Sequence, residues 1–456
     1  MTTQINKTTI THALQWLLPK QLRLGVAAML SGLLFGSTVS AQDRTITLDE
    51  AIKLGLETSK TLKLSQNQID QAVSRYNQAK DRALPTGSVS FMYSRAQIPA
   101  NTLNLGEESL SLPKSANANL GIASVEEVIY GGGRYRLAKQ STDLLVQVAR
   151  LDVDKNREEI AFNIVNSYYN LYRVLQSKKV VEQNLKSIDQ QIHQAQRFFE
   201  QGLVTQNDVL RFQLQRSNIE LNGIDLENNR KIINYDLDIL LGLPEETQLN
   251  IQQISEANRN IAPLYSYRDS ALATRQEIKQ QDLRTKVAET NIGTIEADKK
   301  ITLAATASLY YVNASANPFP NSNKYITPMT AGLALSWNFG SLWTNKNRVT
   351  EARIRREETL INKGIITDNI KNEVNQSYQN YVKAVDKIKL LETSIAQATE
   401  NNRIQTSRYA NATASATERA DAETLLYQAQ INLELAKADA GLAYYNLLKA
   451  SGTLTK

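Results

Sequence analysis

The chain has 456 residues, with 52 basic and 46 acidic side chains, two histidines and no cysteine. Without cysteine, disulfides, thiolate chemistry, zinc-sulfur sites and a lipidated N-terminal cysteine are excluded. The net charge of +6 falls to +3 once Lys7, Lys20 and Arg23 are assigned to a leader, and that balance gives no reason to expect nucleic acid as a partner.

In chain order, residues 1–41 read as a signal peptide. Lys20 and Arg23 precede an apolar run from Leu24 to Phe35, and Val39-Ser40-Ala41 offers small residues for cleavage. No later segment approaches the eighteen or so apolar residues of a membrane helix. Thr47-Leu48-Asp49-Glu50 is a capping box that opens a helix carrying Ile52, Leu56, Leu62, Ile69, Val73 and Tyr76, ending near Leu84-Pro85. The period then changes to two: Val89, Phe91 and Tyr93 alternate with Ser88, Ser90 and Ser94. A polar loop over 98–115 leads to a second strand near Asn119 to Tyr130, and Gly131-Gly132-Gly133-Arg134 is a joint into a long helix. It is not a phosphate loop, because no Lys-Ser/Thr follows.

That helix climbs through a coiled-coil seam of Val181, Leu185, Ile188, Ile192, Ala195 and Phe199. It breaks at Gly202 and restarts at Thr205 with Asp208 three residues on. The return carries a heptad of Phe212, Ile219, Leu226, Ile233 and Leu240. After an irregular connection over 242–265, the plan repeats: a helix to about Lys300, strands over about 301–340, a loop, a long helix, a tip at 409–418 and a return through Ala422, Ala429, Ala436, Ala443 and Ala450.

The repetition is detailed. A shift of 210 positions carries Phe199–Gly242 onto Tyr409–Gly452 without a gap, with Thr205 on Ser415, Asp208 on Glu418 and Tyr235 on Tyr445. At an offset of 218, Ser90 meets Ser308 and Tyr93 meets Tyr311. The chain therefore divides into a first repeat over 42–241 (strands about 86–130, tip 199–208) and a second over 266–456. Four strands bearing aromatics at Tyr93, Tyr311, Trp337 and Phe339 look like barrel strands with an interfacial girdle. Four cannot close a barrel, and an open edge in hydrocarbon leaves backbone groups unpaired, so membrane strands here require an oligomer. The alternative at this level is a soluble α+β protein with one exposed sheet.

The chain resembles the TolC-like outer-membrane efflux protein family of Gram-negative bacteria over essentially all of the mature sequence. The carriers are Leu48-Asp49-Glu50-Ala51-Ile52, the Ala79 to Pro85 lead into the first strand, the tip Phe199-Glu200-Gln201-Gly202-Leu203-Val204-Thr205 with Asp208-Val209-Leu210, the duplication, and the Leu-Gly and Ser-Gly hairpin endings. The resemblance implies a mainly α fold with a membrane β part: a homotrimer in which each chain gives four strands to a twelve-stranded barrel and long coiled-coil helices to an α-helical tunnel. It implies a periplasmic adaptor, an inner-membrane transporter and outer-membrane lipid as partners, and no cofactor or catalytic residue. Gly202, Leu203, Val204 and Thr205 match the adaptor-docking tip. Glu418 and Asp421 match carboxylates that ring the periplasmic entrance. Tyr409 matches the gating tyrosine and Asp208 its partner, implying a hydrogen bond between them. The arginine that joins this lock in the family falls at Ala414 and is missing, and Ala412 stands where glycine is usual. Small-molecule efflux is the leading function, with polypeptide export by the same kind of duct next and a non-pore coiled-coil scaffold or adhesin as a different class. His193, alone after leader removal, is expected on a helix surface.

Overall fold

The computed structural model describes residues 43–455 apart from 98, 100–101, 112–113, 253–260 and 318–324; the expected leader and the loop around Pro318 fall outside the described residues. Two helices dominate it: α3 (Arg134–Glu200) with 67 residues and α7 (Ser341–Ala410) with 70. At 1.5 Å per residue each is about 100 Å long. Shorter helices stack along them end to end. The upper part of α3 packs against α2 (Lys60–Asp81) and α6 (Gln276–Ala297), and its lower part against the return helix α4 (Gln206–Leu241). Likewise α7 packs above on α6 and below on α8 (Ala416–Ala450), and α8 also lies on α3. The halves interleave.

The first helix is not continuous. It is α1 (Leu48–Thr58) and α2, parted by one extended residue, Ser59 (φ −56°, ψ 116°), whose hydroxyl accepts from the Leu62 N–H at 3.2 Å. The second half repeats the break at Arg275 (φ −58°, ψ 128°), between α5 (Leu264–Thr274) and α6. Neither break contains Gly or Pro, so the apolar period runs through both and a single helix is the natural sequence reading.

A short parallel pair, β1 (Asp43–Ile46) with β6 (Gln248–Ile251), joins the start of the chain to the connection between repeats. Neither strand was expected. Ile46 and Leu249 from this pair close a core with Ala51, Ile164, Tyr168, Tyr169, Leu237 and Leu241. Here α8 lies tight against α3: a Cβ built on Gly441 would lie 2.3 Å from the Tyr169 ring. No helix among the described residues is long and apolar enough to cross a membrane.

At the other end lies a four-stranded antiparallel sheet in the order β2 (Thr86–Gln97), β5 (Ser115–Tyr130), β7 (Thr302–Asn317), β8 (Met329–Ser336). The expected polar loop between the first two contains a small hairpin, β3 (Thr102–Leu105) with β4 (Glu108–Ser111). The last strand ends at Ser336, so Trp337 and Phe339, expected on it, lie in the turn that precedes α7. The triple-glycine joint is as expected: Gly132 and Gly133 have positive φ, and Arg134 reaches back to the Gly131 carbonyl at 3.2 Å and across to the Thr302 hydroxyl at 3.1 Å.

Register assigns the two sheet faces. Phe91 opposes Gly121, which opposes Tyr311; Leu303 opposes Leu335, Ala305 opposes Leu333, and Leu309 opposes Met329. These odd-numbered positions share one face, on which Val89 is 84% and Leu333 70% exposed. The opposite face carries Ser88, Ser124, Ser308 and Thr330 in one row across all four strands, with the Ser88 and Ser124 hydroxyls 3.0 Å apart.

Candidate functional site at the hairpin tips

The first tip forms because α3 ends in a left-handed residue. Gly202 has φ 72°; its N–H donates to the Phe199 carbonyl at 2.9 Å and the Leu203 N–H donates to Phe198 at 2.8 Å, which satisfies the last free carbonyls of the helix. The chain turns through Leu203 and Val204, and α4 starts where the Thr205 N–H and hydroxyl donate to Asp208 at 2.9 and 2.7 Å. Gly202, Leu203 and Thr205 are exposed and Val204 half-buried, so the apex presents a small apolar turn.

The second tip repeats this backbone bond for bond. The Ala412 N–H donates to Tyr409 at 3.0 Å and the Thr413 N–H to Arg408 at 2.8 Å, while the Ser415 N–H and hydroxyl donate to Glu418 at 2.8 and 3.0 Å. Ala412 holds φ 55°, which costs an L-residue with a Cβ about 1 kcal/mol. The side chains differ. Arg408, where the first tip has Phe198, donates to the Thr413 carbonyl at 3.0 Å and lies 3.5 Å from Glu418. The Ser415 backbone N–H, then its hydroxyl, then Arg408 hold the Glu418 carboxyl below the usual carboxylate range. Asp421, one turn along the same helix, is exposed.

Between the tips lies one apolar cluster of Val209, Phe212, Tyr409, Ala416 and Ala420. The Tyr409 ring sits 5.6 Å from Phe198 and 5.9 Å, edge-on, from Phe212. The expected Tyr409–Asp208 hydrogen bond is not made. Asp208 is engaged by Thr205, and the Tyr409 hydroxyl is buried with no hydrogen-bond partner among the described residues. Burial, then the negative charge of Asp208, raise its pKa. Tyr409 joins the two hairpins of one chain by its ring.

Sequence reading missed a polar group that does the same. Arg419 and Glu423, both on α8, pair at 3.0 Å with side chains only 6% and 3% exposed. Glu423 also accepts from Ser187 of α3 at 2.6 Å, and Arg419 contacts Asn402 of α7. A signal was available: Arg419 lies three residues before Ala422, the first alanine of the heptad, on the same side of the helix, and Glu423 lies four after Arg419.

In the sheet, Tyr93 and Tyr311 stand well up the strands, exposed on the apolar face, with Tyr311 stacked on Tyr325 at 4.5 Å. Trp337 and Phe339 sit at the strand base in a cluster with Trp343, the Trp337 indole N–H donating to the Lys299 carbonyl at 3.0 Å. His193 is exposed on α3. Among the described residues, no group of His, Asp and Glu could hold a metal ion.

Long paired hairpins at one end, an open sheet with one apolar face at the other, and a twofold repeat in sequence define the class of outer-membrane channel-tunnel folds. The profile of the outer membrane efflux protein family matches residues 51–243 and 267–453, and the chain belongs to that family. The probable efflux pump outer membrane protein TtgC of Pseudomonas putida is 23% identical over 274 residues, covering 57% of this chain and 53% of that protein, so the match spans about half the length of that relative. The outer membrane protein TolC of Salmonella enteritidis is 20% identical over 455 residues, 96% of this chain and 87% of that one. Among solved structures, VceC from Vibrio cholerae superposes with a TM-score of 0.72 at 16% identity, covering 89% of this chain and 96% of that one, and CusC with 0.73 at 15%, covering 89% and 92%. These likenesses show the fold. Membership of that family makes the chain an outer membrane protein and not an enzyme.

Proposed function

We propose that three copies of this chain form the exit duct of a tripartite efflux pump, closing a twelve-stranded barrel in the outer membrane above an α-helical tunnel. Small molecules leave passively, and energy comes from an inner-membrane transporter joined through a periplasmic adaptor. The observation that carries this reading is the sheet: among the described residues both edge strands, β2 and β8, lack an outer neighbour, one face is apolar, and the other carries the serine and threonine row. Such a sheet satisfies its backbone in lipid only when closed with other copies, apolar side outward and hydroxyls lining a polar lumen. Tyr93 and Tyr311 supply one aromatic level and Trp337 and Phe339 the other. About nine residues of β7 separate the two levels, roughly 30 Å at 3.3 Å per residue, a suitable length for tilted strands crossing a bilayer.

Exposed Leu210, Leu214, Leu221, Ile224, Ile232, Tyr235 and Ile239 run down α4 on the side away from α3, which supports burial against a neighbouring copy. In this assembly Gly202, Leu203, Val204 and Thr205 dock the adaptor, while Glu418 and Asp421 ring the periplasmic entrance and favour cations. Tyr409 and Asp208 belong to the closed entrance, Tyr409 through ring packing. Relatives that belong to efflux pumps, including a toluene efflux pump outer membrane protein of Pseudomonas putida, support small molecules over polypeptides as cargo.

The test is purification from outer membranes, gel mobility without heating, and single-channel recording in planar bilayers. A trimer with a cation-selective pore is expected. A water-soluble monomer without conductance would overturn the proposal.

A further inference from the structure

Around the second tip, on α7 and α8, three carboxylates have an arginine beside them. Glu400 pairs with Arg403 at 2.7 Å, Glu423 with Arg419 at 3.0 Å, and Glu418 with Arg408 at 3.5 Å. Asp421 has no ion-pair partner among the described residues. Arg408 is not a loose surface side chain. It donates to the Thr413 carbonyl at 3.0 Å and to Gln405 at 3.3 Å, and its own carbonyl accepts the Thr413 hydroxyl at 3.0 Å. The turn thus fixes the guanidinium beside the Glu418 carboxylate.

We propose that Arg408 is a selectivity determinant of the periplasmic entrance, neutralising Glu418 so that Asp421 is the uncompensated one of the two carboxylates each chain contributes to the ring. This rests on the placement of Glu418 and Asp421 at the entrance given above. An exposed ion pair stabilises little, but the effect on permeating ions does not depend on that energy. Charges 3.5 Å apart lie well inside the screening length of about 8 Å at physiological salt, so an ion at the mouth meets them as a dipole of no net charge. Arg408 therefore halves the negative charge of a ring made from Glu418 and Asp421, and with it the local enrichment of cations. At the matching position of the repeat the first tip has Phe198, so this compensation belongs to the second tip alone.

Reversal potentials of the reconstituted protein in a KCl gradient test the assignment, with unheated gel mobility verifying assembly of each variant. Arg408→Gln is expected to raise the potassium-to-chloride permeability ratio about twofold or more, and Asp421→Asn to lower it. Arg408→Lys keeps the charge while losing the planar contacts to Thr413 and Gln405, so it is expected to retain the wild-type ratio; a role confined to shaping the turn would make Lys resemble Gln. An unchanged ratio in Arg408→Gln alongside a shifted one in Asp421→Asn overturns the inference and leaves the entrance ring standing. No shift in Asp421→Asn or in Glu418→Gln removes the ring and the inference with it.

Discussion

The two hairpins share a backbone and differ in what they bury. Val209 of the first is replaced in the repeat by Arg419, and the exposed Gln213 by the buried Glu423. Both Val209 and Arg419 are 5% exposed, yet one is an apolar side chain against Phe212 and Tyr409 and the other is half of an ion pair tied to Ser187 and Asn402. The same helical geometry therefore accepts either solution, provided that every polar atom of the second finds a partner. What differs is the consequence of removing one piece.

The largest effect should follow from splitting the polar solution. Arg419→Ala leaves Glu423 buried and uncompensated and is expected to destabilise by about 3 to 5 kcal/mol per chain, whereas Arg419→Val with Glu423→Gln, which removes both charges together, should recover most of that. Thermal midpoints of the helical signal in detergent measure both. If the double variant is as unstable as the single one, the two solutions are not equivalent.

The next contrast lies at the upper end of the return helices, where Asp238 of the first repeat corresponds to Leu448 of the second. Asp238 is fully buried. It accepts from Asn234 at 2.8 Å through one oxygen, the other has no partner, and burial pushes its pKa up to about 7. A folded-state value above the unfolded 3.8 means the folded chain holds this proton more tightly. Stability is thus lost as pH rises from about 4 to about 7, and stays lost above. Asp238→Asn should raise the midpoint at pH 8, leave it unchanged at pH 3.5, and flatten the profile between.

The smallest effects concern the turns. Gly202→Ala should cost about 1 kcal/mol per chain, because it imposes on the first tip the left-handed alanine that the second already tolerates. Ala412→Gly should gain about 0.5 kcal/mol, the relief of φ being partly offset by glycine's greater freedom when unfolded. A gain at 412 without a loss at 202 would mean that the two turns do not share one conformation in solution.

Much of this was legible in the sequence. The 210-residue repeat, Gly202 as a helix end, both capping boxes and the alternation of Val89, Phe91 and Tyr93 are local patterns, and local chemistry decides them. The breaks at Ser59 and Arg275 were hidden because one extended residue disturbs no period. The top of α4 departs from the heptad for the opposite reason: a strict heptad points to Leu240, but a straight helix drifts against a seven-residue repeat, and the buried positions become Leu237 and Leu241. The β1–β6 pair joins segments about two hundred residues apart that carry no strand signal long enough to notice. At the tip, the same capping chemistry that marks Asp208 in the sequence engages it with Thr205, and Tyr409 meets the first hairpin through its ring.

Gly441 bears on how the duplication has aged. Its counterpart one repeat earlier is Lys231, yet Tyr169 occupies the space that any side chain at 441 would need. A chain assembled from two first hairpins would drive a lysine into that ring. Whatever symmetry the ancestral doubling began with, the copies have since become complementary parts, and neither can now stand in for the other.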